Sequence, residues 1–129
     1  MTDTTIDQEA EMLLRAASTR LTAPHEGECL LCFVARMLDA FGCDTSLRWA
    51  PRYRDVRAPR AVALERRLDN VGGFCDCEIF LNGYEIAEAL RDHDEWGDRV
   101  APDVRPPCVG ARRGSTKPCL VWQRQRRRG

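Results

Sequence analysis

With 129 residues, of which 43% are hydrophobic, the chain has room for one small domain with a modest core. Its formal net charge is zero, but residues 1–100 carry 12 basic and 19 acidic residues (net −7), whereas residues 101–129 carry 8 and 1 (net +7). The chain begins with polar and acidic residues, and no run approaches the roughly 18 apolar residues that a membrane span needs. We therefore expect no secretory signal and no membrane span, but a cytoplasmic protein with reduced thiols.

Two amphipathic helices are predicted in the first third of the chain. The first spans residues 6–22, where acidic residues lie near the start and Arg15 and Arg20 lie near the end, an order that suits the helix dipole. The second carries one apolar stripe at three- and four-residue spacing. The stripe consists of Leu30, Phe33, Val34, Met37, Leu38 and Phe41. Gly42 is well placed to end this helix.

Residues 45–60 interleave Trp49 and Tyr53 with five arginines. This composition predicts a mostly irregular, basic and aromatic segment. The interpretation that we favour is that both aromatic side chains cover the core, while the arginines pair with acidic residues of the body. A third helix is predicted from Pro59 to the Gly72-Gly73 pair, because proline is favoured at the first helical position and the glycines would end the helix.

The segment after the glycine pair has the alternation of a strand. Over Phe74–Leu81, this pattern places Cys75 and Cys77 on one face of a short strand. Asn82-Gly83 then signals a turn, and Tyr84–Asp94 is predicted as a final helix.

The expected fold is a small, α-rich α+β domain of about four helices with a short strand or hairpin over residues 5–98. Prolines, glycines and basic residues then predict a disordered basic tail over residues 99–129. The tail ends in arginines that follow Trp122, namely Arg124, Arg126, Arg127 and Arg128. Arginines beside an aromatic ring suit phosphates and stacked bases, so we expect them to bind a nucleic acid or an acidic protein surface. The alternative is a solubilising tail that folds back on the acidic body.

The cysteines are the main functional signal. Cys29 and Cys32 lie in the first turn of the second helix, where spare backbone N–H groups favour the thiolate form. Zinc prefers four tetrahedral ligands, and thiolates are strong structural ones. The preferred ligands are Cys29, Cys32, Cys75 and Cys77, with Cys43 in reserve and His25 as a further substitute. Such a closed zinc site would pin the second helix to the strand, whereas Cys108 and Cys119, in the tail, are expected to stay free.

The alternative function is a thiol redox or metal-sensing protein that uses Cys29 and Cys32. Against it, no strand clearly precedes their helix and no βαβ pattern surrounds it. Catalysis has little support, because the polar face of a strand explains Asp76 and Glu78, and no nucleophile accompanies the histidines. We therefore expect a non-enzymatic, cysteine-ligated zinc module that binds a nucleic acid or a protein partner, with no membrane or small-molecule ligand.

Two sequence runs resemble a known bacterial family. Gly42-Cys43-Asp44-Thr45-Ser46-Leu47 and Gly72-Gly73-Phe74-Cys75-Asp76-Cys77-Glu78-Ile79 are similar to the family catalogued as domain of unknown function 2695, over roughly residues 28–90. The resemblance implies that Cys43, Cys75 and Cys77 form one constellation. Where the family often has a histidine this chain has Thr45, which implies a missing ligand that Cys29 or Cys32 would supply. The family brings no known activity.

Overall fold

The computed structural model describes residues 2–126, with side chains from residue 6 onward. Its helices are α1 (Thr2–Leu21), α2 (Leu30–Phe41), α3 (Trp49–Arg57), α4 (Leu64–Asp69) and the single turn α5 (Asp76–Glu78), which continues as a π-helical turn over Ile79–Gly83. Its strands are β1 (Tyr84–Ile86), β2 (Asp92–His93), β3 (Arg99–Val100) and β4 (Trp122–Arg124), and a 3-10 turn lies at Glu88–Leu90. The antiparallel pairs are β1 with β4 and β2 with β3. This is the α+β class that the sequence predicts.

Helix α2 lies at the centre of the core. In the predicted apolar stripe, Leu30, Phe33, Val34 and Met37 are buried, whereas Phe41 is exposed. Gly42 follows the helix with a φ of 77°, a left-handed value that glycine adopts without steric cost. The ring of Phe33 lies 5.8 Å from that of Tyr53, which places α3 against α2.

Helix α1 confirms the first predicted helix, but its apolar residues face outward. Met12, Leu13 and Leu14 are all exposed. The end of the helix is tied to α3 by Arg52, whose Nε donates to the Thr22 carbonyl at 2.7 Å. No helix within residues 2–126 has both the length and the apolar composition needed to cross a membrane.

Helix α3 corrects the prediction of an irregular segment over residues 45–60. The Asp76 carboxylate accepts hydrogen bonds from the backbone N–H groups of Arg48 (2.8 Å), Trp49 (3.0 Å) and Ala50 (3.1 Å), and so caps the helix from a distant part of the chain. A cap 26 residues away leaves no local sequence signal. Trp49 and Tyr53 are buried, as the favoured interpretation of this segment requires.

The strand predicted over Phe74–Leu81 is instead helical. Asp76 is completely buried rather than on a solvated face, and its role as a cap requires the turn that α5 provides. Gly73 permits this close packing, because a Cβ there would lie 2.9 Å from Ile79 Cγ1. The side-chain alternation therefore reflects a single helical turn whose polar residue points inward.

The segment predicted as the final helix and the predicted tail pair with each other. Tyr84 lies opposite Arg124 and Ile86 opposite Trp122 in the β1–β4 ladder, so Tyr84–Asp94 is not a helix. Val121 is completely buried, and the Trp122 ring lies 4.9 Å from that of Phe80. As far as residue 126, the C-terminal segment therefore packs on the domain, which differs from the disorder expected over residues 99–129.

Candidate metal centre

Four cysteine sulfurs converge beside the start of α2. Cys29, Cys32, Cys108 and Cys119 have ligand atoms that all lie within 4.8 Å of one another. The Sγ atom of Cys119 is 3.7 Å from that of Cys32 and 3.9 Å from that of Cys108. Four thiolates around one zinc ion at about 2.3 Å require sulfur separations of about 3.8 Å. The donor set and its spacing therefore fit a tetrahedral zinc ion, and all four cysteines are free thiols.

Backbone and indole N–H groups point at these sulfurs. The Cys32 amide donates to Cys29 Sγ, and the amides of Cys29 and Gly110 both donate to Cys108 Sγ, each at 3.3 Å. The Trp122 Nε1–H group donates to Cys32 Sγ at 3.3 Å. Such donors stabilise negative charge on sulfur and fix the orientation of metal ligands. Three of the four sulfurs therefore have N–H donors that would stabilise a thiolate.

The cysteines of this cluster differ in pKa. The hydrogen bond from the Cys32 thiol outweighs burial and lowers the pKa of Cys29 to about 5. The same hydrogen bond raises the pKa of Cys32, and burial raises it further. Burial likewise raises the pKa of Cys119. Among these three sulfurs only Cys29 favours the charged form, and a divalent cation would be needed to hold the others as thiolates.

Access is restricted at three of the four sulfurs, whereas Cys108 is half-buried. Cys29 is 0% exposed, Cys32 6% and Cys119 7%. Thiol exchange with another protein requires a sulfur that an attacking thiol can reach. Burial and four available ligands instead suit a structural ion with a closed coordination shell.

A second cluster lies beyond the other end of α2. The ligand atoms of Cys43, Cys75 and Cys77 lie within 4.8 Å of one another, and the sulfurs of Cys75 and Cys77 are 3.2 Å apart. Cys75 is buried, Cys77 half-buried and Cys43 exposed. Burial and a hydrogen bond with Cys77 raise the pKa of Cys75 to about 12. Glu78 Oε1 accepts a hydrogen bond from Cys75 at 3.4 Å.

The structure does not bring the four preferred ligands together. Cys29 and Cys32 join Cys108 and Cys119, whereas Cys75 and Cys77 join Cys43. The reason is the length of α2, whose 12 residues put about 18 Å between the first pair at its start and Cys43 after its end.

The structure differs from three expectations about individual ligands. Cys29 and Cys32 do not replace the ligand that the family resemblance implies is missing at Thr45. His25 is in neither of the clusters formed by described residues. Cys108 and Cys119, expected to stay free, complete the first cluster. Cys29-x-x-Cys32 supplies only two of the four ligands that a closed zinc site needs. The presence of two more cysteines in one proline-rich segment could therefore have pointed to Cys108 and Cys119.

The C-terminal arginines predicted to bind nucleic acid are only partly described. Arg124 is exposed on β4, and its guanidinium lies 5.5 Å from the centre of the Tyr84 ring. Arg126 is exposed, and Arg127 and Arg128 lie outside the described residues. Between the two C-terminal cysteines, the loop exposes three further basic side chains, namely Arg112, Arg113 and Lys117.

The fold and the two thiol clusters define a small α+β protein in which cysteine groups can hold metal ions. Residues 30–82 match the model of the family described as "Protein of unknown function (DUF2695)", which confirms the predicted resemblance over this part of the chain. The match includes Cys32 and all of the second cluster, and it ends before Cys108 and Cys119. No curated protein and no solved structure matches the chain.

Proposed function

We propose that this protein is a non-enzymatic module in which structural zinc holds a basic C-terminal segment against a helical domain, where it binds nucleic-acid phosphates. The observation that carries the proposal is the four-sulfur cluster of Cys29, Cys32, Cys108 and Cys119. Cys29 and Cys108 are 79 residues apart in the chain, and Cys32 and Cys119 are 87 residues apart. An ion bound by all four would therefore stabilise long-range structure.

Hydrogen bonds around the cluster support a structural rather than a catalytic ion. The Ala111 amide donates to the Gly27 carbonyl at 2.8 Å, and β4 pairs with β1 immediately after Cys119. Four thiolates leave zinc no open position for water or substrate. The zinc would fix the loop between Cys108 and Cys119 in place, and bound metal would contribute directly to folding.

The charge of the C-terminal segment supports the choice of partner. Arg112, Arg113 and Lys117 are exposed on the loop between the cysteines, and none forms an ion pair with another described residue. Arg124, at the end of β4, and Arg126, two residues later, are also exposed. Clustered arginines and lysines that lack acidic partners suit phosphate groups, whose binding depends steeply on salt.

Metal content and chelation test the structural ion. We expect one zinc ion to resist a weak chelator, and its removal by a strong chelator to abolish the cooperative thermal transition. Cys108→Ser should lose this ion, whereas Cys43→Ser, which changes an exposed thiol of the other cluster, should retain it. Protein that keeps its thermal transition when all metal has been removed would contradict a structural role.

Nucleic-acid binding is tested separately with charge variants. We expect the triple variant Arg112→Ser, Arg113→Ser, Lys117→Ser to weaken binding of a short duplex. The slope of log K against log salt should fall by about 1 for each phosphate that the loop no longer binds. The charge-matched control is Arg15→Ser, Arg60→Ser, Arg66→Ser, which changes three exposed arginines of the helical body. Equal effects in both variants, or no binding at low salt, would exclude the loop as a nucleic-acid surface.

The lowered pKa of Cys29 favours one second candidate, a dithiol that forms a Cys29–Cys32 disulfide. In this reaction glutathione disulfide would accept two electrons and be released as two glutathione molecules. The test is the mass of the metal-free protein after incubation with glutathione disulfide. A reversible loss of two thiols with the thermal transition preserved would favour redox function over structural zinc.

A further inference from the structure

We infer that Cys43, Cys75 and Cys77 form a second metal site, which takes up and releases a zinc-class ion through a coordination position open to solvent. The three ligand atoms lie within 4.8 Å of one another; Cys43 comes from the loop after α2, and the other two come from the start of α5. The Cys75 and Cys77 sulfurs are 3.2 Å apart, and a separation about 0.6 Å larger would meet the requirement of tetrahedral zinc thiolates. We expect a small rotation of the half-buried Cys77 side chain to provide this change.

The scaffold around this cluster holds its two halves in register without a metal. Asp76 lies between Cys75 and Cys77, and its carboxylate accepts three backbone hydrogen bonds at the start of α3. The Asp76 amide in turn donates to the Ser46 carbonyl at 3.3 Å, three residues after Cys43. The Cys-Asp-Cys turn is therefore fixed to the loop that carries Cys43, so an ion would meet a largely preformed site.

The number and exposure of the ligands make this site different from the four-sulfur cluster. Three thiolates leave the fourth position of a tetrahedral ion unfilled by cysteine, and Cys43 is exposed to solvent. The Glu78 carboxylate lies at the rim, 3.4 Å from Cys75 Sγ. An incoming chelator or another metal-binding protein can reach an ion held in this way. We therefore expect faster exchange here than at the buried cluster.

Stoichiometry and chelator competition test this site in the full-length, reduced protein loaded with Zn²⁺. We expect two zinc ions per chain, of which a weak chelator removes one and leaves the other. Cys43→Ser should bind only the resistant ion, with an unchanged thermal transition, because the substituted thiol is exposed. Cys108→Ser is the reciprocal variant, and it should lose the resistant ion together with the cooperative thermal transition.

Thiol alkylation followed by peptide mapping gives a second readout that does not depend on the stability of any variant. We expect Zn²⁺ to slow alkylation of Cys43 in the wild-type protein by at least tenfold, and the weak chelator to restore it while Cys29 stays protected. A single zinc ion that survives in Cys43→Ser, with Cys43 alkylated equally with and without Zn²⁺, would overturn the inference. A single ion that is lost in Cys43→Ser and kept in Cys108→Ser would support this site and contradict the proposed structural zinc.

Discussion

Asp76 shows how one buried carboxylate can connect two segments of a small domain. It is 0% exposed and accepts hydrogen bonds from three consecutive backbone amides at the start of α3. We expect Asp76→Asn to lower the free energy of unfolding by about 1–3 kcal/mol, because an amide replaces one acceptor oxygen with a donor that faces these amides. Urea denaturation of the zinc-loaded protein measures the change.

The control for this substitution is Asp69→Asn at the end of α4. Asp69 is exposed, and its carboxylate accepts no hydrogen bond from another described residue, so we expect less than about 0.5 kcal/mol of change. Equal stability of the two variants would show that the cap does not support α3.

Thr45 has a strained backbone conformation. It is the non-glycine residue with positive φ among the described residues, at 69°, and it is β-branched. Asparagine tolerates this conformation better, so we expect Thr45→Asn to raise the free energy of unfolding by about 0.5–1 kcal/mol. Thr45→Val keeps the β-branch and should bring no gain. A urea midpoint for Thr45→Asn that is no higher than that of wild type would contradict the argument.

At the scale of elements, β4 links the C-terminal segment to the four-sulfur cluster. The Trp122 Nε1–H group donates to Cys32 Sγ at 3.3 Å, while its ring packs on Phe80. Trp122→Phe keeps an aromatic ring and removes the donor, so we expect zinc affinity at the resistant site to fall about tenfold. Competition with a chromophoric chelator measures this affinity.

The matched control is Trp96→Phe, since Trp96 is 78% exposed and lies in the turn between β2 and β3. Its zinc affinity should equal that of wild type. If both tryptophan variants bind zinc equally well, the indole donor has no part in holding the ligand.

The elements also differ in how far the sequence could predict them. Helix α2 was predictable because its stripe and Gly42 are local signals. Helix α3 was not predictable, because Asp76 caps it from 26 residues away. Helix α5 was predicted as a strand, because the buried Asp76 carboxylate alternates with apolar residues as a polar strand residue would.

Local sequence signals likewise could not show which cysteines share a cluster. Both cysteine motifs that the sequence singles out take part in clusters that could hold an ion. Their partners depend on the β1–β4 pairing and on the length of α2, and both are properties of the folded chain.

At the scale of the whole molecule, the two cysteine clusters lie at opposite ends of α2 and differ in what they connect. The four-sulfur cluster joins the start of α2 to the C-terminal segment, across most of the chain. The three-sulfur cluster joins the loop after α2 to the start of α5, two segments that hydrogen bonds of Asp76 already hold together. Loss of an ion should therefore have a global effect at the first cluster and a local effect at the second.

Hydrogen exchange of the zinc-loaded protein tests this separation. A weak chelator should raise exchange only near the second cluster, over residues 43–46 and 75–77. A strong chelator should also release the amides of Ala87 and Ala111, which bond to Val121 and Gly27, because the C-terminal segment then loses its anchor. If the weak chelator already exposes these two amides, the clusters are coupled, and metal at the surface site would control the whole fold.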